Sequence, residues 1–271
     1  IQEITGANFG FSQVDIRDPI AVEETFRNFN PNGVIHLAGF KYSNESLNNP
    51  LLYWHTNLIG TLNLLEIVNK LNCKTFVFSS SATIYADSKD NSRLTESSKI
   101  SPANPYGNTK ASIERLLGDV FQSSKEECKF ASLRYFNPIG AHPSGMIGEN
   151  PIGIPNNLFP LIINTAFGIQ KELKIFGNDY STKDGTAIRD YIHVMDLADI
   201  HVKVLEFLID SGPINFNLNI GTGLGTSVLD LVKTFERVNN IKVPFSFTDR
   251  RFGDNGFVVA DNSLCKSKQY K

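Results

Sequence analysis

The chain has 271 residues, of which 41% are hydrophobic and 20% are charged, and its formal net charge at pH 7 is −2. This length can bury a large core, and the balanced charge gives no reason to expect a nucleic acid or a membrane surface as partner. The three scattered cysteines favour free thiols in a reducing, cytoplasmic compartment, and the five histidines lack metal-ligand spacing, so no metal site is predicted.

The first third of the chain predicts strands that alternate with helices. Residues 10–17 are predicted to form a strand, followed by a helix that begins near Asp18. Residues 33–39 are predicted to form a short parallel strand that enters a turn of small residues, where a cofactor could approach the backbone closely. Apolar residues at helical spacing predict a long amphipathic helix over residues 50–71.

Residues 76–110 contain the strongest candidate for a catalytic site. Three bulky apolar residues, 76–78, predict a buried strand that ends in a serine cluster. A helix is predicted to open near Pro105, and it places Tyr106 and Lys110 four residues apart on one face. A phenol, an ammonium and a hydroxyl from the strand end would therefore converge.

This combination suits proton transfer. The reference pKa of tyrosine is about 10, so roughly 4 kcal/mol of preferential phenolate stabilisation would bring it near 7. The Lys110 charge and a cationic nicotinamide would act in that direction, while Ser81 or Thr83 could donate a hydrogen bond to the same substrate oxygen. The implied task is to move a hydroxyl proton while a hydride moves to a cofactor. The alternative is a surface tyrosine and lysine on an ordinary helix.

The sequence predicts a further strand over residues 130–135, after which the amino-acid composition changes. Alternation of strands with long helices predicts a doubly wound parallel sheet, with the strand ends on one edge. From Asn137 the chain is rich in glycine and proline, and we place a domain transition there. Asn156 and Asn157 precede a helix predicted to end near Gly168; its N-terminus suits a diphosphate, with plain helix capping as the alternative.

A glycine-rich turn at residues 221–225 follows a predicted strand and precedes a predicted helix. Its spacing is Gly-x-Gly-x-Gly, and it lies after the Tyr106–Lys110 pair, whereas a dinucleotide loop should lie before that pair. We therefore interpret it as a strand-turn-helix connection on the substrate side.

Five segments together resemble the UDP-glucose 4-epimerases, within the extended short-chain dehydrogenase/reductase enzymes. They are residues 36–41, 78–85, 133–145, 153–158 and 189–194. The resemblance covers nearly the whole chain. It implies interconversion of UDP-glucose and UDP-galactose through a 4-keto sugar, with transient hydride transfer to bound NAD. Tyr106, Lys110, Ser81 and Thr83 would be the catalytic residues.

The resemblance also assigns binding roles. It places Asp15 and Ile16 at the adenine, Arg251 at the diphosphate, and Asp254 at a ribose. The NAD-binding set would be Asp15, Ile16, Leu37, Ala38, Gly39, Phe40, Lys41, Asn57, Ser81, Tyr106, Lys110, Tyr135 and Phe136. The substrate-binding set would be Lys41, Ser81, Ala82, Thr83, Tyr106, Asn137, Asn156, Asn157, Leu158, Lys174, Ile175, Phe176, Arg189, Arg251, Asp254 and Val258. Val258, at the position beside the sugar 2-substituent, is small enough to suggest tolerance of N-acetylated sugars.

Several of these positions have simpler alternatives. Asp15 could cap a helix, Lys41 could be a solvated loop residue, and Asn57 could be a partly buried polar residue. Phe252 stands where the family usually has a glutamate.

The family pattern further predicts a domain organisation. We expect a truncated Rossmann-like NAD-binding domain over residues 1–137, with its first strands missing. A smaller UDP-sugar-binding domain would cover 138–271, and a segment near 190–225 would pack back on the first domain. A glycine-rich loop that the family places ahead of Asp15 is not found, so we expect a fragment. A non-catalytic nucleotide-sugar-binding remnant, or another epimerase or dehydratase of the family, is the alternative. The resemblance also allows a homodimer.

Overall fold

A computed structural model of the chain describes residues 1–88, 90–124, 127–153, 155–251 and 253–268. The family departure at Phe252 and the end of the chain at 269–271 lie outside the described residues. The helices are α1 (Gln2–Thr5), α2 (Pro19–Phe29), α3 (Ser43–Asn48), α4 (Pro50–Tyr53), α5 (Gly60–Lys70), α6 (Pro105–Ser123), α7 (Leu158–Ala166), α8 (Val194–Asp210), α9 (Val228–Asn239) and α10 (Ser263–Ser267). The strands are β1 (Val34–His36), β2 (Thr75–Ser81), β3 (Lys129–Tyr135), β4 (Asn137–Ile139), β5 (Leu173–Phe176), β6 (Ile188–His193), β7 (Ile214–Ile220), β8 (Gly225–Ser227), β9 (Phe245–Thr248) and β10 (Phe257–Val258).

The main sheet is parallel throughout, with the strand order β1-β2-β3-β7. Side chains alternate between its two faces. Phe76 and Phe78 of β2 pack with α5 and α6 on one face, and Val77 packs with α8 on the other. Helices thus cover both faces, which is why β2 is buried along its whole length. The predicted doubly wound α/β fold is confirmed.

The predicted strand over residues 10–17 is wrong. Those residues form no strand, and most of them are exposed. A strand needs a neighbour with which to share backbone hydrogen bonds, and β1 pairs only with β2 among the described strands. Val14 and Ile16 instead pack on a small cluster formed by α2 and α5. The following helix begins as predicted, with Asp18 accepting hydrogen bonds from the N–H groups of Ile20 and Ala21.

The long helix predicted over residues 50–71 is helical but not uniform. Between α4 and α5 the residues Trp54–Ile59 form a π-helical turn. Such turns insert an extra residue and re-aim the side chains beside it. Asn57 lies in this turn and is buried. No helix in the described ranges is long and apolar enough to cross a lipid bilayer.

The second half of the chain adds two smaller sheets. One has the strand order β10-β6-β4, with β8 antiparallel to β6, and the other pairs β5 with β9. The chain enters the first of these immediately after β3, because β4 begins two residues beyond Tyr135. It then returns to the main sheet, where β7 pairs with β3. The division into two domains at Asn137 stays a prediction.

Candidate active site

The carboxyl end of β2 carries three buried serines and the turn that follows them. The strand continues through Ser81, so the serines belong to it rather than following it. Ser81 Oγ then accepts hydrogen bonds from Thr83 N at 3.2 Å and from Thr83 Oγ1 at 2.9 Å. These bonds hold the strand end and the first turn after it in one arrangement.

Tyr106 is placed against this strand end by the start of α6. Asn104 caps the helix by accepting a hydrogen bond from Gly107 N at 2.9 Å. A Cβ on Gly107 would lie 2.7 Å from the Thr83 carbonyl oxygen, so only glycine allows the helix to approach so closely. The Tyr106 ring packs edge-on to Tyr53, with ring centroids 6.4 Å apart, and the Ser81 side chain acts to lower the pKa of its hydroxyl.

Lys110 lies one turn further along α6, beneath the same strand end. Its ammonium donates a hydrogen bond to the Ser79 carbonyl oxygen at 2.6 Å and lies 5.8 Å from the centroid of the Tyr106 ring. Burial lowers the pKa of Lys110 to about 8, and the Glu114 carboxylate acts in the opposite direction. The predicted meeting of phenol, ammonium and hydroxyl is therefore present in the structure.

The electrostatics of Tyr106 depend on its burial. Burial raises its pKa above the ordinary value, and the Ser81 side chain only partly offsets this effect. In the protein by itself, burial disfavours the phenolate more strongly than the Ser81 side chain favours it. Tyr106 is thus protonated at neutral pH. The lowering expected from Lys110 together with a bound nicotinamide stays a prediction.

Asn57 holds the loop after β1 next to the catalytic helix. Its Oδ1 accepts a hydrogen bond from Phe40 N at 2.8 Å, and its Nδ2 donates to the Phe40 carbonyl at 3.0 Å and to Thr109 Oγ1 at 3.2 Å. Gly39 has a φ of +150°, and a Cβ there would lie 2.9 Å from Asn57 Oδ1. The loop therefore presents a backbone surface with no side chain in the way at Gly39.

A second group of predicted residues lies on the smaller sheets. Arg189 Nη2 pairs with Asp254 Oδ1 at 2.5 Å, and the Arg251 guanidinium lies 3.8 Å from the centroid of the Phe176 ring. Burial lowers the pKa of Arg251; Asp254 opposes this effect and Arg189 adds to it. Val258 pairs in register with Arg189 and packs against the buried cluster that contains Ala82. Val258 thereby connects this group to the end of β2.

Glu149, in the segment before α7, contacts Lys41 in the loop after β1. Glu149 lies 3.7 Å from the Lys41 ammonium and accepts a hydrogen bond from Asn157 Nδ2 at 2.5 Å. Asn157 precedes α7 without capping it through its side chain, and Asn156 is exposed. Asn137 lies in β4, paired with Tyr191.

Some predicted site residues point elsewhere. Asp15 is exposed and pairs with Arg17, whose hydrogen bonds lower the Asp15 pKa to about 2. It does not cap α2, since Asp18 does so. The side chains of Phe136 and Ile175 lie in hydrophobic clusters. Leu37 is 60% exposed, and Lys174 pairs with Glu172 and Ser246. Leu158 packs against the cluster around Ile175.

Other residues at the site gave no clear sequence signal. Burial raises the pKa of Tyr191 to about 12. The Arg189 charge acts to lower this pKa, and the Asp254 charge acts to raise it. Glu114 and Arg134 form a buried ion pair beneath Lys110. The one available signal was helical spacing, because Glu114 lies on the same face as Lys110 and Tyr106.

Comparison with known proteins places this arrangement in a family. The profile of the NAD dependent epimerase/dehydratase family matches residues 2–221. The chain belongs to this family. Within it, UDP-glucose 4-epimerase 2 of Arabidopsis thaliana is 48% identical over 263 residues, which are 96% of this chain and 75% of the relative. The UDP-glucose 4-epimerase of Bacillus subtilis is 48% identical over 266 residues, covering 98% of this chain and 78% of the relative.

Solved epimerases share the fold. The UDP-glucose 4-epimerase of Stenotrophomonas maltophila, with bound NAD and formylated UDP-arabinopyranose, superposes with a TM-score of 0.94 at 41% identity. The enzyme of Bifidobacterium longum, in complex with NAD⁺ and UDP, gives a TM-score of 0.93 at 41% identity. Each match covers 98% of this chain and 78% of the other. NAD is the cofactor of this family of epimerases.

Proposed function

We propose that the chain catalyses the NAD-dependent interconversion of UDP-glucose and UDP-galactose. The observation that carries this proposal is that the buried Tyr106 ring lies 5.8 Å from the buried Lys110 ammonium at the end of β2, where Lys110 donates to the Ser79 carbonyl oxygen. The relatives that are 48% identical over nearly the whole chain support the choice of substrate. A non-catalytic nucleotide-sugar-binding remnant is less well supported, because such a protein would not need a buried phenol and ammonium at one strand end.

The residues around the strand end suit NAD. Lys110 is 5% exposed, and among the described residues its ammonium makes one hydrogen bond, to the Ser79 carbonyl. An ammonium has three donors, so donors remain for ribose hydroxyls. NAD could also approach the backbone at Gly39, in the loop that Asn57 holds in place. Bound NAD would supply the hydride acceptor and donor for carbon 4 of the sugar.

The chain's own residues would transfer the proton of the sugar 4-hydroxyl. Tyr106 would take the proton of the sugar 4-hydroxyl and return it, while Ser81 and Thr83 would hold the reacting oxygen. For this the pKa of Tyr106 must fall from its raised value, and the Lys110 charge together with a positive nicotinamide ring favours the phenolate. Proton removal is thus expected chiefly in the loaded site.

The second group of residues would anchor the UDP moiety. Arg189 and Arg251 provide two positive charges near one carboxylate, Asp254, and so favour a diphosphate. The Phe176 ring beside Arg251 offers a flat apolar surface for a base. Anchoring through UDP would leave the sugar free to present either face to the hydride.

The decisive experiment combines cofactor analysis with an activity assay. The purified chain is unfolded, released NAD is quantified by mass and absorbance, and conversion of UDP-galactose to UDP-glucose is measured in parallel. We expect near-equimolar NAD and measurable turnover. Nucleotide-sugar binding without turnover, in protein that retains NAD, would favour the non-catalytic alternative.

Replacing Asn57 should weaken NAD binding. We expect Asn57→Ala to retain about 10-fold less NAD, since the Phe40 backbone would lose its two hydrogen bonds to this side chain, each worth about 1 kcal/mol. Asn69→Ala, at an exposed position near the end of α5, is the matched control. Equal NAD retention by the two variants would argue against a cofactor role for the Asn57 loop.

Replacing Arg251 should weaken substrate binding. We expect Arg251→Leu to raise the KM for UDP-galactose by about 10- to 100-fold, because charge-assisted hydrogen bonds contribute about 1.5–3 kcal/mol. Arg250→Leu is the neighbouring control, since Arg250 pairs with Asp179 and lies over the Tyr180 ring instead. A similar KM in the two variants would contradict the assignment of Arg251.

Two further proposals concern the protein's setting. We propose a cytoplasmic location, which the three free, buried cysteines support. We also propose a homodimer, supported by the exposed apolar residues Leu51, Leu52 and Ile59 beside the π-helical turn. Sedimentation analysis at several concentrations would test the dimer.

A further inference from the structure

Glu114 is a buried carboxylate on the catalytic helix, one turn beyond Lys110. Only 6% of its side chain is exposed. It accepts hydrogen bonds from Arg134 Nη2 at 2.6 Å and Arg134 Nε at 2.9 Å, and a third from Ser80 Oγ at 2.5 Å. A buried ion pair gains little net stability over apolar residues of similar volume, so this arrangement calls for a second explanation.

Ser80 lies between the two serines that contact the catalytic pair. Its neighbour Ser79 accepts the Lys110 hydrogen bond through its carbonyl, and the side chain of its other neighbour, Ser81, acts to lower the pKa of Tyr106. Ser80 itself is fully buried, and its hydroxyl faces Glu114. A shift of Ser80 would therefore displace both partners of the catalytic pair at once.

Arg134 makes the Glu114 position rigid. Its Nη1 donates to Tyr85 Oη at 2.9 Å and to the Glu96 carbonyl at 2.8 Å. The Tyr85 hydroxyl in turn donates to Asn219 Oδ1, in β7, at 2.6 Å. The network thus fixes α6 against β2, β3, β7 and the segment after β2.

We infer that Glu114 is a positioning residue for the proposed epimerase chemistry, and that it acts through Ser80 to hold the Ser79 carbonyl and the Ser81 hydroxyl in place. This inference rests on the proposed function of the same site. It concerns a residue that touches neither the Tyr106 hydroxyl nor the Lys110 ammonium through any hydrogen bond in the described part of the chain.

Glu114 also contributes to the charge around Lys110. The groups facing Lys110 are Tyr106 on its own helix and His36 on β1. Tyr135 on β3 is bonded to Ser79, whose carbonyl accepts the Lys110 hydrogen bond. Burial lowers the pKa of His36 to about 3, so this histidine is neutral at pH 7. Glu114 is the negative group that favours the charged form of Lys110. Its neutralisation would leave the positive Arg134 unopposed, and Lys110 would then lose its proton at lower pH.

The test uses Glu114→Gln and Ser80→Ala, with Ser132→Ala as control. Ser132 is an equally buried serine on β3 that pairs with Phe78 rather than with the strand end. One readout is the titration of Lys110 followed by NMR in protein with labelled lysine, with the signal assigned by Lys110→Met. The other is the division of the activity change between kcat and KM for UDP-galactose. Folding of each variant is checked by thermal unfolding.

We expect Glu114→Gln to shift the Lys110 titration and the alkaline limit of kcat to lower pH by about one unit. Ser80→Ala keeps the ion pair, so it should leave the Lys110 titration unchanged. It should lower kcat about 10-fold at constant KM, because small displacements of groups near the reacting atoms slow the reaction. Ser132→Ala should change neither quantity.

The inference fails if Ser80→Ala lowers only the melting temperature and keeps the kcat of the original protein where both are folded. It also fails if the Lys110 titration is the same in Glu114→Gln. If Glu114→Gln does not fold, Ser80→Ala decides alone. If the unaltered chain shows no epimerase activity, the proposed function fails instead, and the NMR titration still decides whether Glu114 controls Lys110.

Discussion

Tyr106→Phe is expected to lower kcat for UDP-galactose about 10²- to 10⁴-fold, the usual contribution of a general acid or base. The change removes one oxygen and leaves the ring against Tyr53. Ser81 keeps its hydrogen bonds from Thr83, so the strand end should hold its shape. The measurement is a steady-state assay of the purified variant, in which KM should change little.

The control for Tyr106→Phe is Tyr42→Phe, which removes a phenol outside the proposed machinery. Tyr42 contacts Lys41 through its ring face, and a phenylalanine ring retains such a face. NAD retention and thermal unfolding should match the original protein in both variants. Turnover by Tyr106→Phe within a few-fold of the original would show that another group moves the proton.

The central part of the site could be predicted from local sequence patterns. The bulky residues 76–78 of β2 and the helical spacing of Tyr106 and Lys110 are short-range features, and the structure brings them together as predicted. Predictions from such features agree with the structure because a buried strand followed by a helix can be arranged in only a few ways. The first strand was mispredicted for a complementary reason, since strand formation depends on a partner that is distant in sequence.

Interactions between distant residues could not be predicted from such patterns. Arg134 lies in a run that looks like an ordinary buried strand, yet its guanidinium contacts residues 20 and 49 positions away. The raised pKa of Tyr106 has the same origin, because burial by several elements outweighs the nearby donors. The pattern identified the catalytic groups, whereas their electrostatics depend on the assembled fold.

The glycine-rich turn at 221–225 shows how the fold settles an ambiguous motif. Its backbone N–H groups are already used by Asp190, a fully buried aspartate of β6. Asp190 Oδ1 accepts from Thr222 N at 2.8 Å and Thr222 Oγ1 at 2.7 Å, and Oδ2 accepts from Gly223 N at 2.9 Å and Ala260 N at 3.2 Å. A Cβ on Gly221 would lie 2.5 Å from Oδ2. A carboxylate within the protein thus accepts from the N–H groups of Thr222 and Gly223, which are therefore not free to bind a phosphate.

Asp190→Ala should therefore destabilise the protein by about 3–5 kcal/mol, since it leaves several buried donors without an acceptor. Urea unfolding would measure the loss as a lower transition midpoint at an unchanged slope. Asp179→Ala is the control: this aspartate is 68% exposed in its pair with Arg250, and its loss should leave the transition midpoint nearly unchanged.

Asp190→Asn separates the two halves of this interaction. An asparagine can keep the Oδ1 bonds to Thr222, but its amide nitrogen would replace Oδ2 and face the N–H groups of Gly223 and Ala260. We expect a loss between those of the control and of Asp190→Ala. Stability equal to that of the original protein in both Asp190 variants would mean that the turn does not depend on this carboxylate, and its glycines would then need a different explanation.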